Sequence, residues 1–313
     1  MLKQSLFYAK ILLFGEYGII ENSMGLSIPF NSFNGALKID DRQDHFTSSS
    51  NKDIMAFYEY LRGLEALGTL PCAFNLDALK ADIDKGMYFD SSIPQGFGVG
   101  SSGALVASVY DKYCSDRIKI DNHQKGDEIL QLKLIFSKLE SYFHGKSSGL
   151  DPLICYLNLP VLIKSKTDLN TIGLPEPNTE GKGAIFLLNS GSPGQTQNMV
   201  SIFLEKCKNE GFRNIVKHQF KKYNDECIEA FLKKDMKPLF KSLRSLSQLV
   251  YDNFSPMIPD KFKKLWKHGI ETDSYYLKLC GSGGGGFILG FTENLEEAQK
   301  AMKDQQLQVI YTF

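Results

Sequence analysis

The chain reads Pro94-Gln95-Gly96-Phe97-Gly98-Val99-Gly100-Ser101-Ser102-Gly103 between a predicted strand at 87–93 and a predicted helix at 104–113. Glycines let such a loop turn its backbone N–H groups inward without Cβ clashes. The amides and the dipole at a helix N-terminus both attract anions, and serine hydroxyls can bind phosphate oxygens or magnesium. The loop therefore indicates a phosphate site. A tight turn followed by an ordinary serine cap is the alternative that this loop alone leaves open.

A second glycine loop lies near the other end of the chain, between predicted strands at 275–279 and 287–291. It reads Lys278-Leu279-Cys280-Gly281-Ser282-Gly283-Gly284-Gly285-Gly286. Its glycines cost chain entropy, so the loop is either a flexible hinge or a segment that packs closely against a ligand or another loop. Both loops also match the dinucleotide fingerprint, but neither lies in a convincing βαβ unit with a ribose-binding acid. A dinucleotide oxidoreductase is therefore the least favoured class.

A third stretch carries acidic residues, and it reads Leu139-Glu140-Ser141-Tyr142-Phe143-His144-Gly145-Lys146-Ser147-Ser148-Gly149-Leu150-Asp151-Pro152. Glu140 and His144 are four residues apart and share one helix face. Asp151 before Pro152 is typical of a helix N-cap followed by proline at the first helical position. The other interpretation is that Asp151 acts as a base toward a substrate hydroxyl.

The composition favours a protein that acts on small molecules. Lys plus Arg and Asp plus Glu both number 36 in 313 residues, so net charge favours neither nucleic acid nor an anionic membrane as a partner. The six cysteines include no Cys-x-x-Cys pair, which argues against zinc and thioredoxin motifs and suits a reducing compartment. The N-terminus lacks the order of a signal peptide, and the apolar runs are too short to span a bilayer. We expect a cytoplasmic protein.

Strand and helix patterns are mixed in both halves without a regular βαβ order, which predicts an α+β fold. The predicted elements, in chain order, are a strand pair or hairpin at 6–20, a helix at 54–67, a helix at 127–143, strands at 160–164 and 184–188, and helices from the 200s to the 250s. The polar stretch at 165–182 predicts a linker or long surface loop.

Taken together and in this order, the three stretches resemble the GHMP kinases. The opening Ala9-Lys10-Ile11-Leu12-Leu13-Phe14-Gly15-Glu16 is similar to the first motif of that family. The resemblance spans nearly the whole chain. It implies a two-domain α+β fold, with an N-terminal ATP-binding domain like domain 2 of ribosomal protein S5 at 1–170 and a ferredoxin-like C-terminal domain at 171–313.

The resemblance also implies roles for individual residues. Asp151 would be the catalytic base, with Lys10 beside it and the attacking oxygen. Glu140 would hold Mg²⁺ with a serine of the Ser101–Ser102 pair, and we assign Ser102. The phosphates of ATP would contact Gly96, Gly98, Gly100, Ser101, Ser102 and Gly103. The substrate would contact Glu16, Tyr17, His144, Gly149, Thr196 and Gly283.

Within the family, His144-Gly145-x-x-Ser148-Gly149-x-Asp151 is most similar to mevalonate kinase, so mevalonate is the expected substrate. Three positions depart from that pattern: Tyr17 replaces a histidine, Ser147 replaces a proline, and Gly194-Gln195-Thr196 lacks an arginine. Phosphomevalonate kinase or another GHMP kinase is therefore the alternative, and a non-catalytic metabolite sensor on this fold is the alternative of another class. A homodimer is an open option for the assembly.

Overall fold

In the computed structural model, residues 5–42, 44–119, 126–194 and 196–313 are described, without the side chains of Thr196 and Gln197. Two compact units make up the chain. The first comprises the segments Met1–Lys10, Pro29–Pro94 and Gly100–Leu159, and the second comprises Ile11–Ile28, Gln95–Val99 and Pro160–Phe313. The division near residue 170 that the family resemblance implies remains a prediction.

The first unit packs helices against antiparallel strands. It holds the start of β1 (Phe7–Phe14), the end of β2 (Gly25–Lys38), β3 (Tyr88–Ser91) and the helices α1 (His45–Ala66), α2 (Leu76–Asp84), α3 (Ser101–Tyr113), α4 (Gly126–His144) and α5 (Leu150–Leu157). The end of β2 pairs with β3, and α3 contacts both α4 and α5. Helix α3 is buried at every residue from Gly103 to Tyr110, because its small and apolar side chains allow neighbours on all sides.

The second unit contains most of the remaining strands. The start of β2 pairs with β4 (Val161–Ile163), which pairs with β5 (Leu169–Thr171). A separate antiparallel sheet has the order β7-β8-β6-β9, from β6 (Ala184–Asn189), β7 (Tyr276–Leu279), β8 (Phe287–Thr292) and β9 (Leu307–Thr312). All six residues of β8 are buried, as expected of a strand inside a covered sheet.

The helices of the second unit follow β6 in the chain. They are α6 (Thr196–Lys206), α7 (Glu210–Asn214), α8 (Lys221–Leu232), α9 (Met236–Asn253), α10 (Asp260–Thr272) and α11 (Leu295–Ala301), with a π-helical segment, Ile215–Phe220, between α7 and α8. Helices α9 and α10 contact each other and β7. The indole of Trp266 on α10 is fully buried and donates to the Ser247 carbonyl of α9.

The α+β class predicted from the sequence is confirmed, as are the helix at 127–143 and the strands at 160–164, 184–188, 275–279 and 287–291. The hairpin predicted within 6–20 is wrong. That stretch holds one strand, β1, and then a 3₁₀ turn, Gly18–Glu21, because Gly15 and Tyr17 turn the chain with positive φ. The second strand of the pair is β2, which is adjacent to β1 in the sheet.

Two further features were only partly anticipated. The helix expected at 54–67 begins much earlier, at His45, where Asp44 caps it by accepting from the Thr47 amide. The polar stretch at 165–182 contains the short strand β5. Among the described residues, no helix has the length and apolar character needed to cross a membrane.

Candidate active site

A buried lysine and a partly exposed aspartate form an ion pair in the first unit. Lys10 lies on β1 with its side chain only 4% exposed, and its Nζ is 2.8 Å from Oδ1 of Asp151, whose side chain is 37% exposed. A buried ammonium requires a charged or hydrogen-bonded partner, because its desolvation is costly. The pair therefore presents one carboxylate to solvent while its cation stays inside the unit.

Asp151 is not a helix cap, so that interpretation of the sequence is wrong. The N-cap of α5 is Gly149, with φ of 74°, and Asp151 lies in the first turn of the helix. A Cβ at Gly149 would come within 2.2 Å of the Lys133 carbonyl oxygen, so the close approach of α4 requires glycine here. The helix consequently starts two residues earlier than the Asp-Pro pair suggests, and the Asp151 carboxylate turns to Lys10.

Next to this pair is a second carboxylate, Glu140 of α4, which is 2% exposed. Its Oε1 accepts from the Ser102 hydroxyl at 3.4 Å, and its Oε2 accepts a short hydrogen bond from the Ser147 hydroxyl. Ser102 Oγ also lies 3.0 Å from Nε2 of His144. The sequence predicted Glu140, Ser102 and His144, but it treated Ser147 only as a missing proline. The structure makes Ser147 a hydrogen-bond donor to Glu140.

Burial and neighbouring charge shift the pKa values of this group. Burial first, and then the negative charge of Asp151, raise the pKa of the Glu140 carboxyl to about 8. Burial also lowers the pKa of the His144 imidazole, against the opposing effect of Asp151. The Glu140 carboxyl therefore keeps its proton to higher pH than an ordinary glutamate, and a cation bound beside it would favour the ionised form.

The N-terminus of α3 lies against the Lys10–Asp151 pair. Its N-cap is Gly100, with φ of 83°, where an added Cβ would meet the Lys10 side chain at 3.0 Å. An added Cβ at Gly103 would meet the Asp151 backbone at 2.7 Å. Ser101 and Ser102 form the first turn of this helix, and among the described residues no side chain caps it. The first amides of a helix have no intrahelical partner, so this end is suited to an anion.

The oxygen atoms of this group fit a magnesium ion. Mg²⁺ prefers hard oxygen ligands, and it is held through one or two carboxylates with waters and substrate phosphates. Glu140 offers a buried carboxylate that already lies within 3.4 Å of the Ser102 hydroxyl. These two side chains would hold the ion.

The other predicted residues lie in the second unit. Glu16 forms a buried ion pair with Lys278, both side chains being 4% exposed. The Tyr17 hydroxyl donates to the Ser282 carbonyl at 2.5 Å, and its ring stacks on Phe203 at a centroid distance of 4.5 Å. Lys278 was not predicted as a functional residue. Its position directly before the second glycine loop, at the end of an apolar strand, was the only sequence signal.

Within the second unit, part of the first glycine loop packs on the second loop. An added Cβ at Gly98 would come within 2.5 Å of the Cys280 carbonyl oxygen, and one at Gly286 within 2.6 Å of Phe97. The interpretation of the second loop as a segment that packs against another loop is therefore confirmed, and the hinge is not. The contact with Cys280 therefore requires glycine at position 98, independently of any contact with phosphate.

Gly96, Gly283 and Thr196 complete the predicted set. Gly96 accepts a hydrogen bond from the Gly194 amide at 2.7 Å, and a Cβ at Gly283 would meet the Met257 carbonyl oxygen at 2.4 Å. Gln195 lies outside the described residues, and so does the side chain of Thr196. The first unit thus brings together Lys10, Gly100, Ser101, Ser102, Gly103, Glu140, His144, Gly149 and Asp151, and the second holds Glu16, Tyr17, Gly96, Gly98 and Gly283.

Comparison with known proteins gives a consistent picture. Residues 227–304 match the family model of the GHMP kinases C terminal domain. No curated protein matches the sequence significantly. A solved structure of L. major mevalonate kinase in complex with R-mevalonate is similar with a TM-score of 0.65 at 14% identity, over 100% of this chain and 97% of that one.

Two further structures carry other ligands on the same fold. Streptococcus pneumoniae phosphomevalonate kinase in complex with phosphomevalonate and AMPPNP is similar with a TM-score of 0.61 at 14% identity, over 98% of each chain. Lactococcus lactis galactokinase complexed with galactose is similar with a TM-score of 0.61 at 12% identity, over 99% of this chain and 94% of that one. The chain therefore carries a GHMP kinase C-terminal domain and has, along its whole length, the fold of the GHMP kinases.

Proposed function

We propose that the chain is a small-molecule kinase that uses ATP and Mg²⁺ to phosphorylate the 5-hydroxyl of mevalonate. The observation that carries this proposal is the grouping in the first unit. A Lys10–Asp151 pair with Nζ and Oδ1 2.8 Å apart lies beside the buried Glu140 carboxylate and the N-terminus of α3. Phosphoryl transfer to an alcohol needs these parts: a proton acceptor, a cation near the attacking oxygen, a metal ligand and a phosphate site.

Each side chain then has a role. Asp151 accepts the proton of the substrate hydroxyl when the hydroxyl oxygen bonds the γ-phosphorus of ATP and the bond from that phosphorus to the bridging oxygen of ADP breaks. Its carboxylate is the more exposed member of the pair and so can reach the substrate. Lys10 orients that carboxylate and stabilises negative charge on the attacking oxygen. Glu140 and Ser102 hold the magnesium ion, which neutralises phosphate charge when bound. The amides at the N-terminus of α3 hold the phosphates of ATP.

Mevalonate is proposed as the substrate because of the stretch from Glu140 to Asp151. Its His144-Gly145 pair and its Ser148-Gly149-x-Asp151 spacing resemble those of mevalonate kinase. The contact between His144 Nε2 and Ser102 Oγ supports a role for the histidine near the transferred group. Contact of the substrate with Glu16, Tyr17, Gly149, Thr196 and Gly283 remains a prediction.

A coupled assay of ADP release tests the proposal. Mg·ATP is supplied with mevalonate, phosphomevalonate, galactose or homoserine in separate reactions, and the phosphorylated product is identified by mass spectrometry. We expect turnover with mevalonate. Turnover with phosphomevalonate alone would refute the substrate but keep the kinase class. Binding of a metabolite without ADP release in any of the four reactions would favour the non-catalytic sensor.

The magnesium role has its own test. In Glu140→Gln the ligand becomes a neutral amide, which is a poorer ligand for a hard cation. We expect the variant to need a higher magnesium concentration for half-maximal activity. The matched control is Glu65→Gln, an exposed glutamate on α1 of the same unit. A magnesium titration of Glu140→Gln that overlays the wild type would remove Glu140 from the metal site.

A further inference from the structure

Two cysteines that are far apart in the sequence meet in the first unit. Sγ of Cys72, Sγ of Cys114 and a carboxylate oxygen of Asp116 all lie within 4.8 Å of one another. Cys114 is buried, Cys72 is half-buried and Asp116 is exposed. This cluster, the Cys72–Cys114–Asp116 cluster, takes no part in the phosphoryl-transfer chemistry proposed above.

The backbone around the cluster is held in place from both sides. Phe74 and Cys114 form an antiparallel bridge, the Asn75 amide donates to the Tyr113 carbonyl at 2.8 Å, and the Ser115 amide donates to the Ala73 carbonyl at 2.8 Å. Each segment also borders a helix: Asn75 is the N-cap that begins α2, and Cys114 is the C-cap that ends α3. The three ligand atoms are therefore carried by a rigid scaffold, which is what a metal site requires.

The carboxylate is oriented as a metal ligand would be. Oδ1 of Asp116 accepts from the Ala73 amide at 3.0 Å and from the Cys114 thiol at 3.1 Å. A backbone donor of this kind fixes the orientation of a ligating carboxylate in the manner of an outer coordination shell. The C-terminal end of α3, where Cys114 lies, also carries the negative end of the helix dipole, which favours a cation.

We propose that the Cys72–Cys114–Asp116 cluster binds a borderline-soft divalent cation such as Zn²⁺, with water as the fourth ligand. On a tetrahedral zinc ion, ligand sulfur and oxygen atoms lie roughly 3.6–3.8 Å apart, so the cluster closes on the ion with shifts of about 1 Å. Both thiols give up their protons to solvent when the ion binds. Asp116 is exposed, so the ion and the water can reach the cluster from solvent.

The chemistry separates this site from the one at Glu140. Thiolates select zinc and related cations over Mg²⁺, whereas a carboxylate with a hydroxyl suits Mg²⁺. The bound ion would join the start of α2 to the end of α3. The N-terminal turn of α3 carries Ser102 and is the end proposed to face phosphate. The ion would fix the C-terminal end of the same helix, at Cys114.

The test uses the full chain, reduced and freed of metal by dialysis against EDTA, and titrated with Co²⁺ and then Zn²⁺. We expect one Co²⁺ per chain, with a thiolate-to-cobalt charge-transfer band that Zn²⁺ abolishes. Cys72→Ser and Asp116→Asn change the two more accessible ligands and keep side-chain size, so circular dichroism should be unchanged. Each should weaken binding by more than the ~10–100-fold that loss of an outer-shell partner costs.

The matched control is Cys207→Ser, which changes a half-buried cysteine of the second unit and should bind Co²⁺ as the wild type does. A wild-type protein without the charge-transfer band would overturn the proposal, and so would a band of full strength in Cys72→Ser. A Cys72–Cys114 disulfide formed under mild oxidation, in a chain whose reduced form binds neither ion, would mean that the pair is a redox pair and not a metal site.

Discussion

Lys10 and Asp151 are joined by an ion pair in which the cation is buried and the anion reaches solvent, with side-chain exposures of 4% and 37%. Asp151 lies in the first turn of α5, and the N-cap is Gly149. A substitution at Asp151 thus changes charge and proton acceptance without removing a cap. Substitution of either Asp151 or Lys10 therefore tests the function of the pair.

Asp151→Asn should lower turnover by about 10²–10⁴-fold, the usual worth of a positioned acid or base. Stability should fall by roughly 1–3 kcal/mol, because the buried Lys10 loses its counter-charge although Asn keeps an oxygen that can accept from it. Steady-state kinetics and urea unfolding measure the two effects.

The matched control is Asp77→Asn. Asp77 occupies the same position in α2, in the first turn and two residues after the N-cap Asn75, but it is exposed. It should lose only the helix-dipole contribution of ~0.3–1 kcal/mol and keep full turnover. Near-normal turnover in Asp151→Asn would end its assignment as the base.

Lys10→Met should also lower turnover, since the positive charge beside the attacking oxygen is lost. Removal of one member of an ion pair leaves the other charge uncompensated, but the Asp151 side chain is 37% exposed and stays hydrated, so the melting temperature should fall only moderately. Lys38→Met is the control, because Lys38 on β2 also pairs with an aspartate of the first unit, Asp90. The double variant Lys10→Met/Asp151→Asn should be little slower than the worse single variant, because residues that act as a unit are not additive. Additive losses would contradict a shared role.

Alanine at Gly98 and at Gly100 should have different effects, although both glycines have positive φ. At Gly98 the new Cβ meets the Cys280 backbone at 2.5 Å, so Gly98→Ala should cost clearly more than the roughly 1–2 kcal/mol of a left-handed alanine. At Gly100 it meets the Lys10 side chain at 3.0 Å and would displace a proposed catalytic residue, so Gly100→Ala should impair turnover more than folding.

Gly68→Ala measures the backbone cost alone, since φ there is +65° and, apart from Gly68 and its chain neighbours, no heavy atom of the described residues lies within 4 Å of the added Cβ. Unfolding free energies, ATP dissociation constants and turnover are compared for the three variants. Equal unfolding free energies for Gly98→Ala and Gly68→Ala would show that the contact with Cys280 is relaxed without cost.

The raised pKa of Glu140 should make stability depend on pH. The carboxyl titrates at about 8 in the folded chain and near ~4.3 when unfolded, so the folded state binds more protons between these values. The unfolding free energy in EDTA should therefore be greatest, as far as this group contributes, below the lower value. It should fall as pH rises toward and through 8.

Urea unfolding from pH 5 to pH 9 measures this dependence. Glu140→Gln should remove this part of the slope, because the amide does not titrate, whereas Glu65→Gln on exposed Glu65 should keep it. A wild-type slope that persists unchanged in Glu140→Gln would assign the pH dependence to another group.

The local parts of the fold were predictable from the sequence because they depend on short-range patterns. Apolar spacing identified α4, and apolar runs before and after the second glycine loop identified β7 and β8. The strand β2 was missed. Its burial is interrupted by half-buried and exposed residues, so it lacks a continuous apolar signal.

The candidate site was predictable where residues lie in one short motif. Glu140, His144 and Asp151 come from a single stretch, and Lys10 came from the family resemblance. Lys278 as the partner of Glu16, and Ser147 as a donor to Glu140, had no comparable signal. The sequence shows only that Ser147 stands where the family pattern has a proline. Its hydrogen bond to Glu140 depends on where the buried carboxylate lies in the fold.

Local patterns were enough to predict the fold class, the glycine loops and the set of acidic, basic and hydroxyl side chains proposed for phosphoryl transfer, because helix period, turn residues and motif order are properties of neighbouring residues. Three features required the folded chain: Gly149 and not Asp151 caps α5, Gly98 packs on Cys280, and Cys72 meets Cys114. Each of these depends on contacts between segments distant in the chain, where close packing and the burial of charge select one arrangement that no local pattern encodes.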